Sequence, residues 1–171
     1  MRVAILTISD RAAAGERPDQ SGPVLRSIVQ RHSWEVTREQ VVSDNPDEIK
    51  SALMEWADED LADVILTTGG TGFSPRDITP EATRDVCDRT APGLAEAMRA
   101  ASLRITSHAM LSRAAAGIRK KAIIINLPGS PKGAKENLEV VLPVLEHAVN
   151  LIQNPEEAEG GHRAADQRKS V

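Results

Sequence analysis

The stretch Gly69-Gly70-Thr71-Gly72 places three glycines in four positions, directly after the apolar, β-branched run Val64-Ile65-Leu66-Thr67-Thr68. Arg76 and Asp77 follow in the same segment, and Thr79-Pro80-Glu81 then has the form of a helix start. Bare-backbone glycines let N–H groups approach phosphate oxygens, a guanidinium can offset phosphate charge, and a carboxylate can hold Mg²⁺. One segment thus carries most parts of a nucleotide-phosphate site. Glycine loops also follow strands for turn geometry alone, and Arg76 with Asp77 could form an exposed ion pair contributing about 0 to 1 kcal/mol. The spacing fits neither G-x-G-x-x-G nor G-x-x-x-x-G-K-[ST], and no Lys follows to reach β- or γ-phosphates.

Other short polar segments stand where apolar runs end. Ser9-Asp10-Arg11 closes the run 2–8, Ser43-Asp44-Asn45-Pro46 closes 34–42, and Pro128-Gly129-Ser130-Pro131 closes 122–127. At the carboxyl ends of parallel strands these residues line the crevice where open α/β sheets bind ligands. Each has a structural alternative. Asp44 or Asn45 can simply cap the next helix, and Ser21 is a candidate cap for the helix that starts at Ser21-Gly22-Pro23, while 19–22 could instead clamp a ligand. Ser112-Arg113 could present a hydroxyl and a charge to an anionic ligand, or belong to the surface. His108 has no second His or Cys at ligand spacing and reads as a helix-end residue.

These residues need a scaffold that brings strand ends together. Strand-like runs at 2–8, 34–42, 63–68 and 122–127 alternate with helical stripes: Val24, Leu25, Ile28 and Val29; Ile49, Leu53 and Trp56; Leu94, Met98, Ala101 and Ile105. The pattern predicts a single-domain, three-layer α/β/α fold with a mostly parallel sheet. Thr79 is expected to cap the helix after the glycine loop, with Pro80 at its first position. The span 12–20 reads as loop, 109–119 as irregular, and 132–154 as helix that Pro143 must kink or split. The domain is placed at 1–154; 155–171 is rich in Gly, Ala and charge with almost nothing to bury, and is expected to be a flexible tail.

A chain of 171 residues fits one domain, and its sole cysteine, Cys87, cannot form an internal disulfide. The first residues lack the charged and apolar regions of a leader, and no apolar run approaches the roughly 20 residues of a membrane helix, so a soluble cytoplasmic protein is expected. A net charge of −4 with 2% aromatics offers neither a basic field nor stacking platforms, which argues against nucleic acid as a partner.

Taken together, Ile8-Ser9-Asp10-Arg11, 66–72, Arg76-Asp77-Ile78-Thr79-Pro80-Glu81-Ala82, Pro92-Gly93, Leu111-Ser112-Arg113, Ala116-Gly117-Ile118-Arg119 and 126–131 make the sequence resemble the molybdopterin adenylyltransferase (MogA/MoaB-like) family, which includes the G domains of gephyrin and plant Cnx proteins. The resemblance covers about 2–152. It implies an enzyme that uses Mg²⁺ and ATP to attach AMP to the terminal phosphate of molybdopterin, releasing pyrophosphate and priming the pterin for a molybdate-insertion protein. Homotrimers are implied as well. The family's two functional aspartates fall on Asp44 and Asp77, assigned to Mg²⁺ placement, although Ser43-Asp44-Asn45-Pro46 departs from the usual Pro-Asp-Glu form. Ser9, Asp10, Gly69, Gly70, Thr71, Gly72, Arg76, Pro128 and Gly129 are then expected around the nucleotide phosphates, with Ser112 and Arg113 toward the pterin. A non-catalytic pterin carrier or scaffold of the same fold is the alternative reading.

Overall fold

Runs that are apolar without alternation should be buried on both faces, and three of them form the centre of the sheet. The computed structural model describes residues 1–154. Among these, six strands form one sheet: β1 (Arg2–Ile8), β2 (Glu35–Val42), β3 (Val64–Thr68), β4 (Arg89–Thr90), β5 (Ala116–Arg119) and β6 (Ala122–Leu127), in the order β2-β1-β3-β6-β5-β4. β2, β1, β3 and β6 pair in parallel, whereas β5 runs antiparallel to both β6 and β4. The helices are α1 (Asp10–Ala13), α2 (Ser21–Arg31), α3 (Pro46–Asp58), α4 (Thr79–Val86), α5 (Pro92–Leu103) and α6 (Pro131–Gln153), with a 3₁₀ turn at Ser107–Leu111.

Alternate side chains of the central strands feed two cores. Val3, Ile5, Val64, Leu66, Ile123 and Ile125 pack under α2, α5 and α6. Ala4, Leu6, Ile65 and Ile124 pack under α3 and α4. The three-layer expectation therefore holds, and the Ile49, Leu53 and Trp56 stripe lies fully in the second core. No helix among the described residues is long and apolar enough to cross a membrane.

From β1 the chain winds out to β2 and then crosses back to β3 on the other side of β1. That reversal opens a crevice between the carboxyl ends of β1 and β3, the place where such sheets bind ligands. Ser9-Asp10 and Gly69-Gly70 stand at its two lips.

Several local expectations are corrected. Ser21 does not cap α2; Gln20 stands at the cap position, and Asp19 just before it accepts the N–H groups of Ser21 and Gly22 on its Oδ1 at 2.9 and 3.1 Å. Thr79 lies inside α4 after Ile78, and its buried hydroxyl has no hydrogen-bond partner among the described residues. α6 is not split at Pro143 but runs through it as one 23-residue helix, because Leu138, Val141, Leu142, Leu145 and Val149 on both sides of it stay buried in the first core. The short α1, the two-residue β4, the 3₁₀ turn and β5 have no counterpart among the sequence expectations; they are too short or too mixed to leave a periodic signal. The expected tail, 155–171, lies outside the described residues.

Candidate active site

At the switch point the ends of three strands are packed against one another through glycines. Gly69 has φ +109°, and a Cβ there would sit 2.1 Å from the carbonyl oxygen of Ile8. A Cβ on Gly129 would lie 3.2 Å from Gly69 Cα. No side chain fits at Gly69, where the positive φ and the Ile8 carbonyl both require glycine, whereas a Cβ at Gly129 would be a tight contact. Hydrogen bonds fix the same junction: Gly69 N–H donates to Leu127 O (3.2 Å), Thr68 Oγ1 to Pro128 O (2.7 Å) and Ser21 Oγ to Gly129 O (2.7 Å).

Beneath it lies a buried polar network. Asn126 on β6 donates to Thr67 Oγ1 (3.0 Å) and Thr83 Oγ1 (2.7 Å) and accepts from the N–H of Ala115 (3.2 Å). It ties β3, β6, α4 and the approach to β5 into one block under the glycine loop.

A cavity of about 500 Å³ opens over this junction, lined by Ser9, Asp19, Ser21, Asp44, Gly69, Gly70, Asp77 and Gly129, among others. The amides of Gly70, Thr71 and Gly72 donate to no atom among the described residues, whereas the Gly69 amide is spent on Leu127. Asn45 caps α3 by accepting from Asp47 N–H at 2.9 Å, so Asp44 is not needed as a cap and faces the cavity. Asp44 and Asp10 hold each other reciprocally: Asp10 N–H donates to Asp44 Oδ2 and Asp44 N–H to Asp10 Oδ1, both at 2.9 Å. Asp77 is oriented by Ser74 N–H, which donates to its Oδ2 at 2.9 Å. Among the described residues each of Asp44 and Asp77 therefore keeps one carboxylate oxygen, Oδ1, without a hydrogen bond.

Arg76 does not pair with Asp77. Its guanidinium clasps both carboxylate oxygens of Asp10, at 2.6 to 3.0 Å. The two neighbouring aspartates are pushed opposite ways. The Arg76 hydrogen bonds, with the Asp44 N–H, hold the Asp10 carboxyl below its ordinary range. Burial pushes Asp44 up, and the charges of Asp10 and Asp77 add to that, against the Asp10 N–H and Arg76.

Arg113 is likewise committed. Its Nε donates to Gly72 O (2.6 Å), one terminal nitrogen to Glu81 (2.6 Å) and the other to Asp77 O, so it staples the glycine loop to α4. Ser112 lines a second, more apolar cavity of about 300 Å³ with Thr71, Gly72, Ile105, Ala109, Leu111 and Pro128. The glycine loop is the partition between the two cavities, Gly69 and Gly70 on one side and Thr71 and Gly72 on the other.

Among the sequence candidates, Ser9, Asp44, Gly69, Gly70, Asp77 and Gly129 line the first cavity, and Thr71, Gly72, Ser112 and Pro128 the second. Asp10, Arg76 and Arg113 line neither. Arg17, lining the first cavity, had no signal in the sequence beyond its charge. Among the described residues no group of three or more His, Cys, Asp or Glu side chains is placed to hold a metal. Two free hard oxygens still suit Mg²⁺, which is commonly held by one or two carboxylates with the rest of its shell from phosphate and water.

Comparison with known proteins identifies the family. Residues 4–147 match the family model described as a probable molybdopterin binding domain. A molybdopterin adenylyltransferase of Helicobacter pylori is 42% identical over 154 residues, covering 89% of this chain and 88% of the relative. Gephyrin of Dictyostelium discoideum is 42% identical over 98% of this chain, which spans 25% of that longer protein. Among solved structures, the molybdopterin biosynthesis enzyme MoaB of Thermus thermophilus superposes with a TM-score of 0.84 at 53% identity, covering 88% of this chain and 95% of that one.

Proposed function

The chain belongs to the family of probable molybdopterin binding domains, and from that premise we propose that it is a molybdopterin adenylyltransferase acting in molybdenum cofactor biosynthesis. The observation that carries the reading is one cavity lined by Gly70, whose amide is unbonded among the described residues, and by Asp44 and Asp77, each with one carboxylate oxygen unbonded among them. Amides of this kind suit phosphate oxygens, and the carboxylates suit the cation that travels with them.

In the reaction, a terminal phosphate oxygen of molybdopterin forms a bond to the α-phosphorus of ATP. The bond from that phosphorus to the bridging oxygen breaks, and pyrophosphate leaves with the electron pair. A phosphate dianion needs no general base, so the chain's contribution is position and charge. Gly70, Thr71 and Gly72 offer N–H groups to non-bridging oxygens, aimed by the packing of Gly69 against Ile8 and Gly129. Asp44 and Asp77 would hold Mg²⁺; when bound it neutralises phosphate charge and orients the reacting oxygens. Asp10, clasped by Arg76, positions Asp44. The nucleotide occupies the larger cavity and the pterin the smaller one beside Ser112, so that the reacting phosphates meet at the edge of the glycine loop. Arg113 serves the pterin side by holding Gly72 and Asp77 in place.

A cytoplasmic homotrimer is part of the same reading, supported by the resemblance and by the exposed side chains of Phe73, Ile105 and Met110, 65%, 60% and 64% accessible in the single chain. Light scattering reads it directly, and a concentration-independent monomer would remove it. The adenylylated product would pass to a protein that inserts molybdate.

The activity is tested by incubating the protein with molybdopterin and Mg-ATP and following pyrophosphate. Asp77→Asn keeps the side chain's shape and the bond from Ser74, so the fold should persist while turnover falls by at least about 100-fold, as when one group stabilising transition-state charge is lost. Pterin binding should survive. A wild-type protein that binds molybdopterin but releases no pyrophosphate with any nucleoside triphosphate would make it a carrier instead.

A further inference from the structure

The charge balance of the larger cavity is wrong for a polyphosphate unless one more cation serves it. Three carboxylates line that cavity, Asp19, Asp44 and Asp77, while Arg76 and Arg113 do not. Arg76 is cancelled by Asp10, and Arg113 by Glu81 and two loop carbonyls. Of the residues that line the cavity, the single Lys or Arg is Arg17, and its guanidinium makes no ion pair or hydrogen bond among the described residues.

Its loop is nonetheless anchored at both ends. On one side, α1 is capped by Ser9, and the N–H groups of Glu16 and Arg17 donate to Arg11 O at 2.9 and 3.4 Å after a left-handed turn at Gly15. On the other, Pro18 restricts the backbone of Arg17 to extended conformations, and Asp19 is fixed by Thr7 Oγ1 at 2.7 Å and by the first turn of α2. The backbone of Arg17 is thus fixed beside the cavity, and its long, exposed guanidinium keeps its donors free among the described residues, as phosphate recognition requires.

We propose that Arg17 is the polyphosphate-binding residue of the nucleotide cavity, its guanidinium donating to the phosphate chain of the bound nucleotide and offsetting charge that Arg76 cannot reach. The inference rests on the adenylyltransferase reading. Calorimetric titration of the full chain with ATP and with inorganic pyrophosphate, each with Mg²⁺, compares wild type with Arg17→Gln, Arg17→Lys and Arg17→Ala. Losing one charge-assisted contact should weaken both ligands about 10- to 100-fold in the Gln and Ala variants. Lys should recover part of the loss, and the salt dependence of binding should shrink. Molybdopterin binding without nucleotide should be unchanged, which shows that the variants remain folded. Wild-type affinity for ATP and pyrophosphate in Arg17→Gln overturns the proposal and leaves the adenylyltransferase reading standing. Absence of Mg-ATP binding to the wild type itself overturns both.

Discussion

Gly70 offers the sharpest test of how the loop is held. Its φ is +61°, and a Cβ at this position would sit 2.3 Å from Thr79 Oγ1 and 3.4 Å from Asp44 Oδ1. In Gly70→Ala the left-handed backbone costs about 1 to 2 kcal/mol. The clash adds about 1 to 3 kcal/mol, because Thr79 is fully buried and must be displaced within a packed core. The total of about 2 to 5 kcal/mol is a large share of a typical 5 to 15 kcal/mol stability. Thr79→Ala alone should cost only about 1 kcal/mol for its lost methyl, since the hydroxyl has no hydrogen bond to lose. In the double variant the clash is gone and Gly70→Ala should cost its backbone term alone, leaving a coupling of about 1 to 3 kcal/mol. Urea unfolding of the four proteins at one concentration measures that coupling. Pyrophosphate release should follow the same order, because displacing Gly70 carries a free N–H away from the cavity. Equal costs of Gly70→Ala with and without the Thr79 hydroxyl would refute the claim that this contact sets the loop.

Three further outcomes follow from the site. Burial raises the Asp44 pKa, so the stability tied to its protonated form is complete below the unfolded pKa and lost as pH rises through the folded one; Asp44→Asn, still able to accept from Asp10 N–H, should melt higher than wild type at neutral pH without Mg²⁺ or nucleotide, yet lose turnover. An equal or lower melting temperature would contradict this. Arg76→Gln should lower activity or Mg²⁺ affinity about 10- to 100-fold through Asp10 and Asp44 while barely moving the urea midpoint, because the ion pair itself is exposed. Asn126→Leu should cost roughly 3 to 5 kcal/mol in urea unfolding, since Ala115 N–H, Thr67 and Thr83 all lose their shared partner inside the core.

The central sheet was legible because burial on both faces writes continuous apolar runs, and 2–8, 63–68 and 122–127 became β1, β3 and β6 almost to the residue. The antiparallel β5 and two-residue β4 left no such record. Gly117 in β5 packs against Cys87 Sγ and Arg89 O, so its strand state comes from neighbours far along the chain. The continuity of α6 through Pro143 has a similar origin. One missing N–H weighs less than the buried face that α6 keeps on both sides of it.

Side-chain roles at the site were less legible than their positions. Asp44 and Asn45 are adjacent, and both residue types can cap a helix. Only the fold separates them, by giving Asn45 the N–H of Asp47 and turning Asp44 toward Asp10 and the cavity. Arg76 and Asp77 are adjacent too, yet Arg76 reaches across 66 positions of sequence to Asp10 while Asp77 is held by Ser74. In both cases the nearest neighbour in sequence is the wrong partner, because strand ends converge at the switch point and bring β1, β2 and β3 loops together. The arginines follow the same rule. The two that sit in the most telling motifs, Arg76 and Arg113, are consumed in holding carboxylates and carbonyls in place, which leaves Arg17, in a loop with no motif at all, lining the cavity with no ion pair among the described residues.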